Sequence, residues 1–135
     1  MVNTKQFFIC GSALSGQPHH QNLQGATLIC ATHTLPLYRL HSVNDLHPGI
    51  YEVPEGGISI PGEVYELTLE QYNNLMANEP PGLYEGNIKL EDGSEVSAML
   101  YPQELIETNR WPDISEYGGW AAYKQRLLDP SAPNP

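Results

Sequence analysis

Phe7-Phe8-Ile9-Cys10-Gly11-Ser12-Ala13-Leu14-Ser15-Gly16-Gln17-Pro18 carries more structural information than any other part of this chain. An apolar run stops abruptly at Gly11-Ser12, small residues follow, and Gly16 and Pro18 close the segment. The pattern predicts a buried strand that delivers the chain into a tight turn with exposed backbone amides. Successive N–H groups in such a turn form a nest for a carboxylate or a developing oxyanion, so Gly11, Ser12, Ala13 and Leu14 are candidate binding residues. The segment is not a phosphate loop, because no Gly-Lys-Ser/Thr ending follows. The plain alternative is a structural strand ending, since Gly and Ser are common turn formers.

Working outward, the first strand is predicted over residues 6–10, and Ala26 to Thr32 is a second, rich in β-formers. Leu37 to Val43 alternates as a half-buried third strand. Pro48-Gly49 reads as a turn before a short strand at Ile50 to Val53. Extended structure resumes at Ile58 to Ile60 and at Glu63 to Leu67. Thr68-Leu69-Glu70-Gln71 has capping-box spacing, and Leu69, Tyr72, Leu75 and Met76 form the apolar face of the helix it starts. Pro80-Pro81 ends that helix. Residues 87–90 and 96–101 form a hairpin with Asp92-Gly93 at its turn. Residues 102–107 read as a single helical turn. Ser115 to Leu128 is a second helix, with Gly118-Gly119 near its start, Trp120 in the core, and Tyr123, Leu127 and Leu128 on the same face. The expectation is an α+β domain: a small curled mixed β-sheet or barrel with two flanking helices. One domain over residues 1–128 and a flexible Pro-rich tail over 129–135 complete the reading.

Composition narrows the function. Of 135 residues only 6 are Lys or Arg against 16 Asp or Glu, a net charge of -10. That balance argues against a nucleic-acid phosphate track and against an anionic membrane surface. It also makes an anionic substrate approach against the overall field. Lys5 precedes only a five-residue apolar run, so neither a signal peptide nor a membrane span is expected, and the location is expected to be cytoplasmic. Cys10 and Cys30 sit in apolar, strand-like contexts and are expected to be buried thiols. His33, His41 and His47 have no metal-ligand spacing, so no metal and no cofactor is expected.

The chain resembles the C-terminal domain of allophanate hydrolase, within the wider γ-glutamylcyclotransferase-like (AIG2-like) group. The resemblance rests on Gly11 to Pro18, Tyr38-Arg39-Leu40, Pro48-Gly49 with Val53-Pro54, Gly62 to Leu67, Leu90 to Gly93, and Asp113-Ile114-Ser115-Glu116-Tyr117-Gly118-Gly119-Trp120-Ala121-Ala122-Tyr123. These segments cover nearly the whole chain in the family's order. The resemblance implies a barrel-like fold with a cavity beside the first loop. It also implies decarboxylation of N-carboxycarbamate, the product of an amidase domain that has no counterpart here. The substrate, a small carboxylate, would then diffuse in or come from a separate amidase partner. A non-catalytic module that docks on such an amidase, or forms a homodimer, is a further alternative.

Decarboxylation requires neutralised charge at the carboxylate that remains and a proton delivered to nitrogen as the C–N bond breaks. The loop amides suit the first task, and Arg39 offers a planar bidentate donor, unless it is simply paired with a nearby acid. His19 and His20 follow the loop, and His20 is the candidate proton donor, since histidine titrates near neutrality. Glu79 is the rival catalytic residue. It falls where the wider group carries the Glu that takes a proton from the α-amine of a γ-glutamyl substrate. Cys10 and Ala13 depart from the cyclotransferase loop, which favours Tyr and Leu there. Tyr84, Tyr101 and Tyr117 are candidates to line a pocket or to close the sheet and helix packing.

Overall fold

The computed structural model describes residues 4–11, 13, 14, 17, 20–77 and 82–128, with backbone alone at 22 and 128. Ser12, His19, Glu79 and the expected tail at 129–135 lie outside these residues. Among the described residues seven strands form: β1 Thr4–Ile9, β2 Thr27–His33, β3 Tyr38–Val43, β4 His47–Glu52, β5 Pro61–Thr68, β6 Tyr84–Lys89 and β7 Glu95–Leu100. The helices are α1 Leu69–Ala77, α2 Gln103–Asn109 and α3 Trp120–Leu128, with 3-10 turns at His20–Leu23 and Ser115–Tyr117. Among the described residues three α-helices therefore flank the sheet where two were expected, because residues 103–109 extend past a single turn.

Strand β1 is central in a five-stranded sheet of order β2-β5-β1-β7-β6, and β3 and β4 form a separate ribbon. It pairs antiparallel with β5 and parallel with β7. Its continuous apolar sequence follows from burial on both faces. Phe7 and Ile9 join Leu23, Tyr65, Leu67 and Leu75 on one side, whereas Phe8 and Cys10 join Tyr38, Leu40, Ile50, Val64 and Trp120 on the other. Phe7 and Phe8 are at most 2% exposed. Each contributes about 1.5–3 kcal/mol by the apolar area it removes from water.

The sheet curls without closing into a barrel. Its two edges meet at one isolated bridge, Thr34–Leu90. There Leu35 N–H donates to Lys89 O at 2.9 Å and Glu91 N–H to His33 O at 2.9 Å. The buried Tyr38 hydroxyl accepts the Lys89 amide at 2.9 Å and ties the ribbon to the same seam.

The capping box forms as predicted. Thr68 N–H donates to Gln71 Oε1 at 2.9 Å, and Gln71 N–H to Thr68 Oγ1 at 3.2 Å. The β6–β7 hairpin turns at Asp92-Gly93, with Gly93 at φ 90°. Trp120 is buried in the main core cluster.

Several local expectations are corrected. Pro48-Gly49 lies inside β4; the turn is Asn44-Asp45, both in the left-handed region, with Leu46 N–H closing onto Val43 O at 3.0 Å. Residues 58–60 make a single bridge, Ile58 to Tyr38, and no strand. Cys10 is buried, but Cys30 is exposed because β2 is an edge strand paired on one side only. Leu69 and Leu127 are exposed: Leu69 opens the first turn of α1, and Leu127 sits in the last turn of α3.

Candidate functional site

The loop after β1 is a chain of turns. Leu14 N–H donates to Gly11 O at 3.0 Å, Gln17 N–H to Leu14 O at 2.9 Å, and His20 N–H to Gln17 O at 3.2 Å. The Leu14 amide is thereby committed to main-chain pairing. Among the described residues, the amides of Gly11 and Ala13 have no partner.

Gly11 is required by close approach. A Cβ there would fall 2.4 Å from Pro48 Cδ and 2.5 Å from Pro48 Cγ. The loop is thus seated against the start of β4. Between them lies a hollow of about 60 Å³ lined by Gly11, Ala13, His47, Pro48, the β1 segment 7–10, Leu83 and Met99.

His20 reaches back to the loop. Its Nδ1 lies 2.9 Å from Ala13 O, which can only accept, so Nδ1 carries a proton. Its ring packs 5.9 Å from the Tyr65 ring, and the Tyr65 hydroxyl donates to Glu63 Oε1 at 2.9 Å. Leu14 belongs to a second hollow, about 430 Å³, formed with residues 61–63 and 117–122. Tyr117 lines that hollow and meets the Tyr123 ring edge-on, whereas Tyr101 is buried with Val43 and Ile106.

Arg39 lines neither hollow. Its Nε and Nη2 donate to Asp113 Oδ2 at 3.0 and 2.6 Å, and Nη1 donates to Gly56 O at 2.8 Å. Asp113 Oδ1 accepts the Ser115 amide at 2.8 Å. His41 joins this cluster: Nδ1 lies 2.9 Å from Trp111 O, and Nε2 lies 3.2 Å from the Tyr51 hydroxyl and 3.6 Å from Asp113 Oδ2. Burial raises the Asp113 pKa, but the hydrogen bonds from Ser115 and Arg39 outweigh it and hold the carboxyl below its usual range. The cluster latches residues 111–115 onto the ribbon. Tyr84, on edge strand β6, is exposed and lines neither hollow. Among the described residues, no three His, Cys, Asp or Glu side chains gather as a metal site, and no helix is long and apolar enough to cross a membrane.

His47 is the site residue that sequence reasoning missed. It is only 6% exposed and lines the smaller hollow. Burial lowers its pKa below 6.5, partly opposed by the hydrogen bond from Nδ1 to Pro48 O at 3.0 Å. Considered only as a metal ligand, it had no suitable spacing. The usable signal was a histidine directly before Pro-Gly at the start of an apolar strand.

Residues 5–125 match the family model described as the allophanate hydrolase C-terminal domain. A urea amidolyase of Lachancea kluyveri is 28% identical over an alignment of 122 residues, which covers 85% of this chain and 7% of that protein. The crystal structure of a uropathogenic E. coli-specific protein is 36% identical with a TM-score of 0.84, covering 91% of this chain and 97% of that one. Allophanate hydrolase of Kluyveromyces lactis is 27% identical with a TM-score of 0.84, covering 93% of this chain and 22% of that one. A γ-glutamyl cyclotransferase, 16% identical with a TM-score of 0.53, shares the fold. The chain thus spans a small fraction of the two named enzymes of urea and allophanate metabolism, and nearly all of the E. coli protein.

Proposed function

The chain belongs to the allophanate hydrolase C-terminal domain family, and on that premise we propose that it binds a small carboxylate at the loop after β1. The observation that carries this reading is the pair of amides, Gly11 and Ala13, that have no partner among the described residues and lie beside a hollow seated against Pro48. Two such donors suit one carboxylate oxygen or a developing negative charge.

The favoured reaction is decarboxylation of N-carboxycarbamate to carbamate and CO2. One carboxylate rests on the loop amides. The C–N bond to the other breaks, its electron pair stays on nitrogen, and CO2 leaves. His20 as imidazolium supplies the proton to that nitrogen from Nε2, because Nδ1–H is held by Ala13 O. Arg39 is engaged with Asp113, so its part in this scheme is to brace the 111–115 segment. The named relatives are much longer chains, and a separate amidase is the proposed source of the substrate.

The test mixes the protein with an amidase that cleaves allophanate and follows CO2 release by membrane-inlet mass spectrometry. Acceleration over the uncatalysed rate is expected, with His20→Ala losing about 10²–10⁴-fold. An unchanged rate in His20→Ala, together with loss of 5-oxoproline formation from a γ-glutamyl substrate in Glu79→Gln, would shift the assignment to cyclotransfer. Absence of any turnover, with stable binding to the amidase, would favour a docking module.

A further inference from the structure

His47 gives the smaller hollow a second kind of polar group. Its Nδ1 faces Pro48 O at 3.0 Å, an oxygen that can only accept, so Nδ1 carries the ring proton and Nε2 of the neutral imidazole is an acceptor. Among the described residues Nε2 has no partner. Nor is it sealed in the core, as the indole nitrogen of Trp120 is. A residue 94% buried that lines a cavity, with one ring nitrogen fixed and the other without a partner among the described residues, is a built acceptor.

The rest of the lining restricts what enters. The amides of Gly11 and Ala13 are donors, and Leu83, Met99 and the β1 side chains are apolar. A hollow of about 60 Å³ exceeds the roughly 10–15 Å³ that one water needs and suits only a small ligand.

We propose that His47 is a specificity-determining residue: the hollow takes small carboxylates that also carry an N–H donor, and His47 Nε2 receives that donor. This rests on the carboxylate reading above and adds the residue that selects among small carboxylates, by receiving the N–H that the ligand carries. A carboxylate without N–H leaves Nε2 unpaired and desolvated. That penalty translates into a preference of about tenfold or more. The depressed pKa of His47 agrees, since it keeps the ring an acceptor at neutral pH.

Oxamate and pyruvate separate the possibilities, because pyruvate replaces the oxamate NH2 by CH3 with little change in shape. Both are titrated into the ¹⁵N-labelled protein and its His47→Gln and His47→Leu variants, with the amide spectrum reporting the fold of each. Wild type is expected to favour oxamate about tenfold or more, His47→Gln to retain part of that preference through Oε1, and His47→Leu to bind both ligands alike. Equal binding of both by the wild type overturns the role of His47 and leaves the carboxylate site standing. A preference that survives in His47→Leu assigns the acceptor to another group. Binding of neither ligand overturns the carboxylate reading and this inference together.

Discussion

Replacing Gly11 by Ala tests the seating of the loop against β4. The added Cβ would lie 2.4 Å from Pro48 Cδ and 2.5 Å from Cγ, where ordinary carbon contacts are about 3.5–4.0 Å. A gap of about 1 Å must be made up, and the pyrrolidine ring has no rotamer to swing into. Pro48 is also held in the ribbon opposite Ser42. Overpacking of this kind costs about 1–3 kcal/mol, a fall in Tm of about 4–12 °C for a domain of this size. Backbone strain adds nothing, because Gly11 is not among the positive-φ glycines. Pro48→Ala removes both clashing atoms. In that background Gly11→Ala is expected to be neutral or to stabilise slightly by restricting the unfolded chain. Denaturant unfolding of the four proteins yields the coupling, expected at about 1–3 kcal/mol. An equal loss from Gly11→Ala in both backgrounds would refute the contact as the reason for glycine.

Three other outcomes follow from the same structure. Gly118, at φ 84° with open space around its missing Cβ, should tolerate Ala sterically but lose about 1–2 kcal/mol through the left-handed backbone, measurable by urea unfolding. Asp113→Ala removes the acceptor for Ser115 N–H and for Arg39, and should cost about 0.5–2 kcal/mol; Arg39→Met should cost less, about 0–1 kcal/mol, because that pair is partly solvated. The pKa of His47 is lower in the folded protein than the ordinary 6.5, so the unfolded chain binds more protons and acidification below about pH 6.5 erodes stability. Asp45, Glu85 and Asp113 are depressed below ordinary carboxyl values, so their contribution is complete above about pH 5 and is lost progressively below it. Thermal melts across pH 4.5–8 should therefore show the wild type losing stability relative to His47→Leu on acidification, and parallel curves would contradict the neutral buried imidazole.

The parts legible in the sequence are those set by local chemistry. The Thr68–Gln71 capping box, the Asp92-Gly93 hairpin and the apolar run at Phe7 each carry their own signal, and each forms. Errors arose where tertiary pairing competes with a local signal. Pro48-Gly49 looks like a turn, but β3 supplies a partner strand and Asn44-Asp45 takes the bend, with left-handed φ at two residue types that tolerate it. Cys30 lies in an apolar stretch, yet burial depends on β2 being an edge, and strand order is not written in periodicity. The first loop was recognisable as a binding candidate from Gly11-Ser12. Its neighbour His47 arrives from a strand 36 positions later in sequence, through the close packing of Gly11 on Pro48. Arg39 illustrates the converse: a side chain suited to carboxylates already holds one, that of Asp113.

The most direct measurement is the response of the backbone amides to a bound small acid. Titration of the ¹⁵N-labelled protein with oxamate should move the Gly11 and Ala13 resonances saturably and leave those of residues 119–122 in place. Unmoved loop amides, with shifts confined to the larger hollow at 117–122, would contradict the assignment.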